Sequence, residues 1–224
     1  MKSAFDISGE ERPVRIPAGS VLLDGDFGPP RDRHGVVLFA HGSGSSRHSP
    51  RNRFVAQALR EAGLGTLLLD LLTSEEEQED LRTRRLRFDM ALLSERLIHA
   101  VDWLAQQPDT RHLPVGCFGA STGAGAALVA AAERPERVAA VVSRGGRPDM
   151  AGPYLPKVTA PTLLIVGGND LPVIDLNQDA FDRLRCKKEL VIVPGATHLF
   201  AEAGALEEVA RLAREWFEQY CTPR

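Results

Sequence analysis

Cysteine is scarce and badly spaced for pairing. Cys117, Cys186 and Cys221 are three thiols, far apart, with no CxxC among them. That excludes a disulfide-dense scaffold and a cysteine zinc site, and it suits a reducing compartment. No metal and no cofactor are expected. Long apolar runs are missing too. None approaches the roughly 20 residues that a membrane-spanning helix needs. The N-terminal "MKSAFDISGEERPVRIPAG" has no apolar core of the kind that marks a secretory signal. A cytoplasmic protein without a membrane partner is therefore expected. An excess of positive charge is absent as well: the formal net charge is −3. No basic cluster is interleaved with aromatics, so no nucleic-acid partner is expected.

What is present is ordinary for a globular chain, with 43% hydrophobic and 25% charged residues over 224 positions. Residues 1–224 are read as one domain, since no linker, repeat or low-complexity stretch divides them. "RPVRIPAGSVLLDG" (12–25) alternates around "PAG" and predicts two short antiparallel strands. A regular succession follows. Continuous apolar runs at 35–42 and 64–72 suit strands buried on both faces, and 113–119, 137–146, 160–168 and 189–195 read as further strands. Between them lie helical patterns at 51–63, 121–133, 175–185 and 205–220. The charged stretch from Ser74 is expected to start a helix that continues through 88–107, with a stripe at Met90, Leu93, Leu97, Val101 and Leu104. Strands alternating with helices imply right-handed crossovers, and so an α/β fold: a mostly parallel sheet with helices on both faces.

Ligands of such sheets sit at the carboxyl ends of the strands. The polar and glycine-rich residues collect there: His41-Gly42-Ser43-Gly44, Asp70, Gly119-Ala120-Ser121, Ser143 to Arg147, Gly167 to Asp170, and Gly195 to His198. Gly119-Ala120-Ser121-Thr122-Gly123 reads G-x-S-x-G between a buried strand and a helix. A serine raised on a sharp strand-to-helix turn needs tiny residues two before and two after it. The bland alternative is a glycine-rich turn with close helix packing.

Serine attacks only when a base takes its proton. His198, in "PGATHLF", alone among the six histidines follows a strand downstream of Ser121. Asp170 follows the next-to-last strand and is the preferred acid to orient it, with Asp175 the substitute if the loop is longer; Asp70 more readily caps a turn. Two backbone N–H groups are expected to form an oxyanion hole. They are those of Thr122, after the nucleophile, and Ser43, in the small-residue loop "AHGSGSSR". His41 precedes that turn and reads as structural. Arg47, Arg144 and Arg147 lie near these ends. Arginine forks suit carboxylate or phosphate, so they are candidate contacts for an anionic part of the substrate. The competing reading pairs them with Asp149, Asp70 or backbone carbonyls.

The HG loop, the GxSxG elbow, the G-x-x-D and the late histidine, in that order, resemble the α/β-hydrolase superfamily over nearly the whole chain. The compact size, with no room for a lid domain, is similar to the dienelactone hydrolase-like group. "FAHGSGSSRHSPRN", "FGASTGA", "VVSRGGRPD" and "PGATHLF" resemble bacterial hydrolase-like proteins, some of whose relatives are fused to a phosphoribosyltransferase domain. True dienelactone hydrolases carry a cysteine nucleophile where Ser121 stands here. The resemblance implies a serine hydrolase of a small-molecule ester or related acyl bond, working through an acyl-enzyme. The rival is a non-catalytic binding or partner protein of the same fold. A dinucleotide-dependent oxidoreductase is disfavoured, because no G-x-G-x-x-G follows the first parallel strand. Segments 71–88 and 147–158 are expected to wall the pocket. The oligomeric state is open, a homodimer included.

Overall fold

The structure is a computed structural model that describes residues 11–31 and 34–222. The first ten residues, read above for a leader, lie outside them. The chain opens on a hairpin, β1 (Arg12–Ala18) and β2 (Val21–Gly28). It then winds through β3 (Val36–Ala40), α1 (Pro50–Glu61), β4 (Gly65–Leu69), α2 (Ser74–Thr83), α3 (Met90–Leu104), β5 (Val115–Ala120), α4 (Thr122–Glu133) and β6 (Val138–Arg144). It closes with β7 (Thr162–Gly167), α5 (Leu171–Arg183), β8 (Lys188–Val193) and α6 (Ala205–Tyr220). Together they build one eight-stranded sheet in the order β1-β2-β4-β3-β5-β6-β7-β8. β2 meets β4 antiparallel, and every pairing from β4 to β8 is parallel. This is the α/β-hydrolase fold.

Strand periodicity explains the two-sided core. Val36, Leu38 and Ala40 pack under α3 and α4, whereas Val37 and Phe39 pack under α1 and α6. Successive side chains of a strand point to opposite faces, so a strand covered on both sides must be apolar throughout. α6 presents Val209, Ala213, Trp216 and Phe217 to the second face, each buried. A fully buried large apolar side chain contributes about 1.5–3 kcal/mol.

Two helices differ from expectation. The stretch from Ser74 to Gln107 is not one helix. Thr73 and Glu76 form a capping box that starts α2, and Arg84 ends it in the left-handed region at φ 54°. Asp80, buried, then accepts from the backbone N–H of Arg87 and pairs with its guanidinium at 2.5 Å. A single 3-10 turn follows, and Asp89 caps α3 by accepting from Leu92 N–H. α5 starts at Leu171 rather than at 175, because Pro172 is tolerated in a first helical turn, where no N–H partner is needed. Segment 148–157 is a run of 3-10 turns kinked at Gly152. No helix among the described residues is long and apolar enough to cross a membrane.

Winding sets the location of the site. From β3 the chain goes to β4 on one side, then crosses to β5 on the other and continues outward. The loops after β3 and β5 therefore diverge at a switch point, where such sheets open a crevice.

Candidate active site

Ser121 stands between β5 and α4 with φ 50° and ψ −122°, a conformation L-residues rarely adopt. It is held from both sides. Its N–H donates to the carbonyl of Arg144 at 3.3 Å, and its carbonyl accepts from Arg147 N–H at 2.9 Å and Ala124 N–H at 3.1 Å. The elbow is thus stitched to the end of β6. Its neighbours have no room for a side chain. A Cβ on Gly119 would lie 2.4 Å from Ala124 Cα, and one on Gly123 would lie 2.3 Å from the carbonyl oxygen of Ala40. α4 therefore sits directly against β3, and the glycines of the motif are sterically required.

The loop after β3 lies against the elbow, since a Cβ on Gly42 would be 3.0 Å from Ser121 Cβ. His41 holds that loop. Its Nε2 accepts from Leu71 N–H at 3.1 Å, and its Nδ1 meets the Gly42 carbonyl at 2.9 Å. The two contacts together call for a neutral ring protonated on Nδ1. Burial holds its pKa below the ordinary value, against the pull of Gly42 and Asp70. Ser43 follows, exposed, and Thr122 is buried as the first residue of α4. Among the described residues, neither Ser43 N–H nor Thr122 N–H donates to a backbone carbonyl outside the regular elements. Ser43 lines the same cleft as Ser121, and Thr122 N–H stands at a helix N-terminus, where the backbone field favours negative charge.

His198 Nδ1 and Asp170 Oδ2 are 2.7 Å apart. The loops that carry them are tied together. Asn169 N–H donates to the Ala196 carbonyl at 2.9 Å, and the Asn169 side chain donates to that of Gly195 at 2.9 Å. Thr197 is braced by Glu202. Asp175 points elsewhere: it is exposed on α5, past the turn that Asp170 begins. Ser121 and His198 line one cleft of about 270 Å³, together with Ser43, Asn52 and Arg144. Cys117 is out of reach of this chemistry, fully buried on β5, and burial pushes its thiol pKa up to about 12.

The three arginines part company. Arg47 pairs with Asp70 through both its backbone N–H and its guanidinium, and it lies 3.6 Å from Asp26. Arg147 makes a two-pronged pair with Asp149 at 2.8 and 2.7 Å. Arg144 alone of the three reaches into the cleft, where it is 6% exposed and donates to Asn52 Oδ1 at 3.2 Å.

Two residues that matter here had not been singled out. Asn52 shares the buried face of α1 with Val55, Ala56 and Leu59. Asn177 shares that of α5 with Val173 and Ala180, and donates to the carbonyls of Gly146 and Val173. Both are polar residues at core-facing positions of a helical repeat, a signal readable in the sequence. Asn177 clamps the loop after β6 to the helix that begins at Asp170.

A family model described as the dienelactone hydrolase family matches residues 27–221. A dienelactone hydrolase from Anabaena variabilis is similar in structure, with 64% identity over 95% of this chain and 98% of that one, at a TM-score of 0.93. Est1E from Butyrivibrio proteoclasticus shares the fold at 15% identity and a TM-score of 0.78, over 92% of this chain and 98% of its own. Two Mycobacterium tuberculosis proteins with a provisional phosphoribosyl transferase name are 57% identical over 222 residues, 99% of this chain. The chain spans about half, 49%, of the length of these curated relatives.

Proposed function

The chain belongs to the dienelactone hydrolase family, and on that premise we propose that it is a serine hydrolase that cleaves a small-molecule ester through an acyl-enzyme, with Ser121, His198 and Asp170 as its triad. The observation that carries the reading is the Asp170–His198 pair at 2.7 Å, in one cleft with a serine held on a strained elbow. Asp170 accepts a hydrogen bond from Nδ1–H and so leaves Nε2 free as the base. Nε2 removes the Ser121 proton as Oγ attacks the acyl carbon. The oxygen that becomes negative is held by Ser43 N–H and Thr122 N–H. The same imidazolium then protonates the leaving alcohol, and a water activated by Nε2 releases the acid. Each hydrogen-bond donor is fixed before substrate arrives, which is the source of rate that such sites use.

The phosphoribosyl transferase name belongs to proteins about twice as long, and this chain matches about half of them. Labelling with a fluorophosphonate tests the reading. A stoichiometric adduct on Ser121, abolished by heat unfolding and by Ser121→Ala, is expected. A folded protein that takes no adduct on Ser121 would sink it.

A further inference from the structure

The cleft that holds Ser121 and His198 is lined by positive groups, Arg144 and Arg51, and by no carboxylate among the described residues. Neither arginine takes part in any ion pair among the described residues. Both have a buried Nε without a hydrogen-bond partner, and so does Arg96, the other arginine as buried as Arg144, but Arg96 has a counter-charge, bonding to Glu76 at 2.8 Å. Arg144 has only the amide oxygen of Asn52 and, at 5.9 Å, the ring of Phe200. Burial and the charge of Arg51 push its pKa down to about 10, the signature of a cation held where it is short of compensation.

α1 adds to the same field. Its N-cap Ser49 and its first-turn residues Arg51 and Asn52 face the cleft, and the first turn holds no acidic residue. The positive end of the helix dipole is therefore left unopposed. Burying a charge without a counter-charge is costly. Two guanidiniums and a helix N-terminus beside a reactive serine are poorly explained by folding alone, and well explained by an anion that arrives with the substrate. A carboxylate would neutralise one of the two guanidiniums. A dianion neutralises both, and a tetrahedral phosphate offers oxygens to both forks at once.

We propose that Arg144, Arg51 and the N-terminus of α1 form a phosphate subsite, and that the ester cut at Ser121 belongs to a phosphorylated small molecule. Only the identity of the bond cut rests on the serine hydrolase reading; the anion is bound whether or not turnover follows. The test is binding of inorganic phosphate and phenyl phosphate, with benzoate for comparison, to wild type and Ser121→Ala. It is run by titration calorimetry at pH 8 and constant ionic strength, where phosphate is a dianion. Saturable binding of both phosphates to both proteins is expected, weakened at least about tenfold by Arg144→Gln and by Arg51→Gln, with benzoate bound more weakly. Arg51 is partly exposed, so Arg51→Gln reports even if Arg144→Gln does not fold. No binding beyond a sodium chloride control, equal affinity in the folded arginine variants, or benzoate bound as tightly as phosphate would each overturn the subsite. Fluorophosphonate labelling of the same preparations keeps the two questions apart. Label without phosphate binding overturns the subsite alone. Phosphate binding without label supports the subsite and removes the hydrolase reading.

Discussion

Ser121→Gly and Ser121→Ala are both expected to abolish hydrolysis, yet to differ in stability. Ser121 has φ 50° and ψ −122°, a region open to glycine but costing a residue with a Cβ about 1–3 kcal/mol. Alanine keeps that Cβ and its strain. It also loses no cap, because the Ser121 side chain makes no capping hydrogen bond to α4. Glycine relieves the strain but gives the unfolded chain more freedom, worth about 0.5–1 kcal/mol in the other direction. The difference of these terms spans about 0–2.5 kcal/mol, and with both near mid-range Ser121→Gly is expected to be more stable than Ser121→Ala by about 0.5–2 kcal/mol. In a chain of this size about 1 kcal/mol moves Tm by about 2–4 °C, so the gap is about 1–8 °C. Differential scanning calorimetry, with urea melts to check that the slope is unchanged, reads it directly. Both variants are inert, so the comparison is free of any effect of bound acyl groups. Equal stability, or a less stable glycine variant, would refute the claim that the elbow is held against its own backbone preference.

Asp170→Asn is expected to lower kcat on the order of 10³–10⁴-fold by favouring the wrong imidazole tautomer, while Asp175→Asn, on an exposed position, leaves kcat unchanged; ester kinetics on any substrate that turns over distinguish the two. His41 is held neutral by burial, its pKa below the ordinary 6.5. The unfolded state therefore binds the extra proton as pH falls below about 6.5, and stability present above that pH is lost below it, by up to about 1.4 kcal/mol per pH unit. Urea melts at pH 7.5 and 5.5 should show this loss in the wild type and a flatter dependence in His41→Gln; parallel behaviour of the two would assign the pH sensitivity elsewhere.

Much of the architecture is legible in the chain because its signals are local. β3, β4, β5 and β7 are buried at every residue and carry no charged side chain, with Thr66 and Thr162 their only hydroxyls, a pattern that a strand covered on both faces requires, and the hairpin is announced by the alternation around "PAG". The elbow is legible for a similar reason: its steric demand falls on residues two positions away. The breaks at Arg84 and Asp89 were hidden because a non-glycine residue in the left-handed region and a mid-pattern aspartate cap leave the helical stripe intact. The start of α5 was hidden by "GGNDLPV", which reads as turn until Pro172 is seen as a first-turn residue. Arginine roles were the least legible. Arg47 meets Asp70 across 23 positions and Arg144 meets Asn52 across 92, so which cation is taken and which is free depends on the closed sheet, not on neighbours in sequence.

The bonds that join Ser121 to Arg144 and Arg147 tie the chemistry and one wall of the cleft into a single piece of backbone. A change in strand β6 that moves the wall also moves Ser121. Among the described residues no backbone bond joins α1 to the elbow; Asn52 meets the β6 side through the Arg144 side chain, so Arg51, partly exposed, is the position freer to vary. Divergence in what this scaffold accepts is therefore expected to accumulate on the α1 side, with the β6 side nearly frozen. A designer who wants a different substrate should start the library there.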